Sequence, residues 1–201
     1  MAPKARITRE LILDAAYEIT RESGIESVNV RSIAKRLQCS TQPVLYYFAT
    51  VEEIRQAVFD RADAYQTEYI MGAEGDNPML AIGTAYVRFA ATEKHLFRLL
   101  FQTDHYAQLS LEDLMNAEPT QPILGALAQE AHLTHEQAKD TFMACFLLVH
   151  GMASMLANNA MIYDEAFALR VLGDAFDGAM YVFEKGKTEK RKPEMDSLPQ
   201  P

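Results

Sequence analysis

The stretch VRSIAKRLQCSTQPVLYYF, residues 30–48, holds two short apolar-periodic segments on either side of a break. Val30, Ile33, Ala34 and Leu37 recur at helical spacing behind Asn29, a side chain suited to cap a helix start. Gln38-Cys39-Ser40 interrupts the pattern before a second segment from Thr41 to Phe48. With Ser40 as its N-cap, Pro43 falls in the first turn, where a missing N–H leaves no helical bond unmade. Two short helices joined by a tight three-residue turn form a helix-turn-helix.

Working outward, Ile7, Leu11, Ile12, Ala15, Ala16 and Ile19 predict one amphipathic helix over 7–23, stopped by Gly24. After the motif, Thr50-Val51-Glu52-Glu53 reads as a capping box opening a fourth helix that runs to about Met71. Gly72 to Pro78 is a linker, and helices are expected at roughly 78–93, 95–103, 110–116, 121–131, 135–160 and 164–185. Thr134 with Gln137 forms another capping-box start, and Asp164 caps the last helix. No alternation of period two is long enough for a strand, so the fold class is all-α. The expected organisation is a helix-turn-helix domain at 1–50 and a helical ligand-binding and dimerisation domain at 51–186, with 51–71 as connecting helix. The charged, proline-punctuated run 187–201 is expected to be a disordered tail.

A chain of 201 residues can bury a core without crosslinks or cofactors, and none is expected here. The net charge of −9 argues at first against a nucleic-acid partner, but its distribution is uneven. Residues 1–50 carry seven basic side chains against five acidic ones, +2, which leaves −11 for the rest. That asymmetry permits a DNA-reading head on an acidic body. The two cysteines, Cys39 and Cys145, have neither zinc nor redox-pair spacing, which fits a reducing cytoplasm. The N-terminus lacks the continuous apolar run of a signal peptide, and no later stretch approaches a membrane span of uninterrupted apolar residues. A cytoplasmic protein without a membrane partner is therefore expected.

The second helix of the motif opens with Ser40, Thr41 and Gln42 and continues one turn later to Tyr46 and Tyr47. Glutamine can pair bidentately with adenine, and hydroxyls bind phosphates or base edges, so this helix has the groups of a major-groove reader. Equally, such side chains can simply cap a surface helix while the tyrosines pack. Spacing alone leaves both readings open.

From Thr8 to Ile54 the chain resembles the tetracycline-repressor (TetR-like) family of transcriptional regulators. The resemblance is carried by Ile12-Leu13-Asp14-Ala15-Ala16, Gly24, Val30 to Leu37, Ser40-Thr41-Gln42-Pro43, Tyr47-Phe48 and Glu52-Glu53-Ile54. It implies that Ser40, Thr41, Gln42, Val44 and Tyr46 face DNA, with Arg31 and Thr50 near flanking phosphates. Three positions depart from the family pattern. Gln38 stands where the turn usually has glycine, Leu45 where a phosphate-contacting tyrosine is common, and Val51 where a lysine commonly opens the fourth helix. Tyr46 or Tyr47 could take over the missing phosphate contact.

The apolar helix expected over 135–160 needs more than one partner surface, and a four-helix dimer interface with the last helix would supply it. Met152, Met155, Leu156, Leu172, Phe176, Met180 and Phe183 are the interface candidates. A two-fold dimer would set two reading helices about 34–36 Å apart, or a multiple of that, on a palindromic operator in double-stranded DNA. Tyr86, Phe89, Phe97, Phe101, Tyr106, Met115, Met143, Phe146 and His150 are candidates to line a pocket for a small-molecule effector, although each could as well be plain core. His132 and His135 have no third ligand nearby, so no metal is expected, and Cys39 reads as packing. No nucleophile elbow, phosphate loop or paired carboxylates point to an enzyme. The expectation is a ligand-responsive homodimeric repressor; the alternative is a protein-interaction adaptor on the same fold that has lost DNA binding.

Overall fold

The structure, a computed structural model, describes residues 7–103, 108–159 and 161–185. Among them the chain forms ten α-helices and no strand: α1 (Arg9–Ser23), α2 (Val30–Arg36), α3 (Gln42–Tyr47), α4 (Val51–Met71), α5 (Pro78–Thr92), α6 (Lys94–Phe101), α7 (Leu111–Asn116), α8 (Gln121–Glu130), α9 (His135–Asn158) and α10 (Glu165–Lys185). The tail expected at 187–201 and the pocket candidate Tyr106 lie outside the described residues, as does the side chain of Phe183.

Side chains at the helix ends explain most boundaries. Thr8 accepts the Leu11 N–H and so starts α1 two residues after the apolar pattern begins at Ile7. Gly24 stops it at φ +85°, donating its N–H to the Thr20 carbonyl. Asn29 caps α2 through the Arg31 and Ser32 N–H groups, while the Ser32 hydroxyl accepts the Asn29 N–H in return. The capping box expected at Thr50 is shifted: its hydroxyl accepts the Glu53 N–H, but the Glu53 carboxylate accepts the N–H of Ala49, one residue earlier. Thr134 with Gln137 forms the full reciprocal box, and Asp164 caps α10 through Phe167. Ser40, expected as the cap of α3, is not one. The N-cap is Thr41, already in helical backbone and making no side-chain cap bond, and Pro43 occupies the first turn.

The apolar core runs from Ile12 in α1 to Leu172 in α10 as one cluster. In the head, α1 packs on α4 and α6; in the rest, α9 is the central helix, against α5, α8 and α10. By length and composition α9 could cross a membrane, with mean hydropathy 1.5 over its most apolar window; here one side of it packs against α5, α6, α8 and α10, and its other side, with Leu147 and Met155, is exposed. Gly83 lies where α5 meets α10, and a Cβ there would require the Leu172 side chain to shift. Ion pairs fasten the layers: Arg21 with Glu93, Arg61 with Asp14, and Arg88 with Glu165. Arg98 also donates to the Ala157 carbonyl, tying α6 to α9.

Candidate functional site

The turn between α2 and α3 is fixed by its backbone. The Cys39 N–H reaches back to the Ala34 carbonyl at 3.0 Å and the Gln38 N–H to that of Lys35 at 3.2 Å, the paired bonds of a Schellman ending. This ending needs a left-handed residue between helix and turn, and Gln38 supplies it at φ +52°. The departure from glycine at this position is therefore accommodated with backbone strain.

Beyond the turn, α3 divides sharply. Val44 is fully buried and Phe48 nearly so, anchoring the helix against α1 and α2; the Arg9 guanidinium lies 4.6 Å over the Phe48 ring. Val44 is thus core, a correction to its expected place on the DNA-facing side. Residues two apart on a helix point about 200° apart, so Val44 and Tyr46 cannot share a face. Ser40, Thr41, Gln42 and Thr50 are exposed, Tyr46 is 81% exposed, and Tyr47 is half-buried with its ring edge-on to Tyr46 at 5.0 Å. Leu45, at 54% exposure, belongs to the same outer surface and was not among the expected contacts.

The electrostatics of this surface follow from the sequence. From Ser27 to Val51 the chain carries Arg31, Lys35 and Arg36 and no acidic residue. Arg36 is turned away by a bidentate pair with Glu22, at 2.7 and 2.8 Å. Arg31 and Lys35 are exposed and make no ion pair among the described residues. A net charge for the whole head conceals this local field, because its acids lie on α1 and before α2.

The second feature is a cavity of about 440 Å³ bounded by α4, α5, α6, α8, α9 and α10. Three expected pocket residues line it: Tyr86, Phe101 and Phe146. His150 stands behind this wall, hydrogen-bonded through Nδ1 to the Tyr86 hydroxyl at 2.8 Å, and Phe97 packs against both rings. Burial pushes the His150 pKa down. Phe89 does not reach the cavity; it is buried between Tyr65 and Tyr69. Met115 is buried on α7, and Met143 is half-buried on α9 away from the lining.

Several lining residues carried no expectation from the sequence: Asp63, Gln66, Thr67, Ile70 and Met71 from α4, and Phe142, Cys145 and Val149 from α9. Phe142 stacks on Phe146 at 6.1 Å, and burial raises the Cys145 thiol pKa, which keeps it protonated and unreactive. A signal for Gln66 was available. It is the polar member of the α4 stripe Ile54, Val58, Ala62, Gln66 and Ile70, spaced every fourth residue.

On the outer surface of α9 and α10, Met155, Leu147, Phe167, Leu169, Tyr181 and Val182 are exposed. Of the expected interface residues, Met152, Phe176 and Met180 are half-buried. Leu156 and Leu172 are buried in the chain's own core, Leu172 also lining the cavity, so neither is available to a partner. Among the described residues no group of histidine, cysteine and acidic side chains could hold a metal ion.

The chain is thus a helix-turn-helix head mounted on a helical body that holds a partly open, largely apolar cavity. Residues 79–175 match the tetracyclin repressor-like C-terminal domain family. An HTH-type transcriptional regulator of Bacillus subtilis, YobS, is 21% identical over 173 residues, covering 82% of this chain and 87% of that protein. Among solved structures, a TetR-like transcriptional regulator from Rhodococcus sp. RHA1 aligns with TM-score 0.55 and 16% identity, over 90% of this chain and all of that one. A TetR variant from Acinetobacter baumannii AYE, solved in complex with minocycline, aligns with TM-score 0.51 and 14% identity, over 92% of this chain and all of that one. The chain is TetR-like, with the all-α fold of that family of transcriptional regulators.

Proposed function

We propose that the chain is a DNA-binding repressor that works as a homodimer and releases or engages a palindromic operator in response to a small molecule. The observation that carries this reading is the outer surface of α3: Ser40, Thr41, Gln42 and Tyr46 stand clear of the core in an acid-free segment, with Arg31 and Lys35 free for phosphates. Val44 and Phe48 hold the helix rigidly enough for its polar groups to keep register. In this reading residues 1–50 are the head and 51–186 the ligand and dimer body.

Coupling between the two runs through α4. Its first turn follows α3 directly, its middle packs on α1, and its last turns line the cavity with Gln66, Ile70 and Met71. A ligand that prefers one position of α4 shifts the population of dimers whose heads match the operator spacing. Minocycline in the Acinetobacter TetR complex supports reading the cavity as an effector site. The exposed apolar side chains of α9 and α10 support a dimer built from these helices in a cytoplasmic protein.

The test is binding to labelled DNA from upstream of the protein's own gene, at several salt concentrations, for wild type and Gln42→Ala. Binding that weakens steeply with salt, and loses selectivity in the variant, supports the reading. A second reading, a protein-interaction adaptor, draws on the exposure of Leu45 beside Tyr46. Absence of DNA binding at low salt, with intact folding, would favour it.

A further inference from the structure

We infer that the effector is an uncharged, largely apolar molecule bearing one hydrogen-bonding group, which is recognised by the Gln66 amide. This rests on the reading of the cavity as an effector site and specifies its ligand. Gln66 is only 8% exposed, lines the cavity, and its amide makes no hydrogen bond among the described residues. The amide opens onto the cavity and not into sealed protein, so water can serve it while the cavity is empty, whereas a leucine would continue the α4 stripe with no polar group at all. A molecule that displaces that water must replace the bond it made or leave the amide unpaired in an apolar site.

The rest of the lining defines the remainder of the ligand. Phe101, Phe142 and Phe146 present rings and Ile70 and Val149 aliphatic groups, so most of the bound surface must be apolar. No lysine, arginine or histidine lines the cavity among the described residues, and the one acid, Asp63, is exposed and so sits on the solvent side of the lining. His150, behind Tyr86, is held neutral by burial and offers no positive charge to an anion. An anionic ligand would lose its hydration and find no cation, only neutral donors such as the Gln66 amide and the like charge of Asp63. A cation would find that same solvent-exposed carboxylate and no charge deeper in, so the interior favours a neutral molecule.

The experiment uses the full chain and a matched set of probes: N-phenyl-1-naphthylamine, its 8-sulfonate, and 1-benzylnaphthalene, which replaces the N–H by CH₂. The chain has no tryptophan, so Phe142→Trp places a single reporter in the cavity, and energy transfer from it to the bound amine locates the probe. The neutral amine is expected to bind at the reporter at least about tenfold more tightly than the sulfonate. It should also bind about three- to tenfold more tightly than the benzyl analogue measured by competition, the worth of one hydrogen bond. Gln66→Leu, with folding checked by thermal melting, is expected to abolish the preference for N–H over CH₂ while leaving the discrimination against sulfonate. Equal binding of amine and sulfonate, or an N–H preference that survives in Gln66→Leu, overturns the inference while leaving the cavity as a ligand site. If no probe transfers energy from the reporter, the effector-site reading itself falls.

Discussion

The Arg21 guanidinium, in the last turn of α1, closes a two-point ion pair on the carboxylate of Glu93, the residue that separates α5 from α6. α1 belongs to the helix-turn-helix head, whereas α5 and α6 wall the cavity through Tyr86 and Phe101. The pair therefore joins the helix-turn-helix head to the cavity wall beside α4, whose Tyr65 feels both charges, and Glu93 is mostly buried while Arg21 remains partly in solvent.

The Arg21→Ala and Glu93→Ala variants should each lose about 1 kcal/mol of stability, less than a fully buried pair because solvent screens the arginine. A double-mutant cycle by urea denaturation should give a coupling energy of similar size. Additivity to within roughly 0.3 kcal/mol would mean that the contact contributes nothing to holding the head on the body.

Gln38→Gly is expected to stabilise the protein by about 0.5–1 kcal/mol. The left-handed backbone at φ +52° costs a non-glycine residue roughly 1–2 kcal/mol, and the added freedom of glycine in the unfolded chain offsets part of that gain. Gln38→Val, branched at Cβ, should move the melting temperature in the opposite direction. A destabilised glycine variant would show that the Gln38 side chain holds the turn through more than its backbone.

Val44→Ala and Gln42→Ala should separate folding from reading although the two residues are neighbours on one short helix. Val44 is fully buried, so its truncation should cost about 2 kcal/mol in a thermal or urea melt. Gln42 is exposed, so its truncation should leave the melt unchanged within roughly 0.5 kcal/mol while reducing discrimination among DNA sequences. Equal effects of both substitutions on stability would place Gln42 in the core and remove it from the reading face.

Much of this architecture is legible in residue order. Asn29, Thr134 with Gln137, and Asp164 announce helix starts that the structure realises, because a cap is a local interaction between side chain and nearby backbone. The motif turn is legible for the same reason. The face of α3 is harder to read: a helix of six residues has too few turns to fix its phase, and the buried side is marked only by Val44 with Phe48 four residues later, against the DNA-facing place that the family resemblance implies for Val44. The cavity was legible only in part, since Phe89, Phe97 and Phe101 have the same chemistry and only tertiary packing decides which of them faces empty space. Leu156 and Leu172 failed as interface residues for a related reason: α9 and α10 are apolar on two sides, and composition does not say which side is inner.

The pairing of His150 with Tyr86 makes acid sensitivity a property of the cavity wall. His150 is surrounded by the rings of Tyr86, Phe97, Phe101 and Phe146, and burial lowers its pKa below the ordinary histidine value near 6.5. In the unfolded chain the imidazole takes up a proton as pH falls through that value, whereas the folded protein resists doing so. The unfolded state then binds more protons, so folding stability must drop on acidification from pH 7, by at most about 1.4 kcal/mol per pH unit from this one group, until the lower folded-state pKa is reached. Protonation would also make both ring nitrogens donors, so that the Tyr86 hydroxyl would have to accept, reorienting the polar group of the wall. Urea melts at pH 7.5, 6.5 and 5.5 should show a shallower loss for His150→Gln, which can still hydrogen-bond Tyr86 but does not titrate, than for wild type. Parallel pH profiles for the two proteins would mean that another group governs the acid limb and that His150 is as free to protonate in the fold as in the open chain.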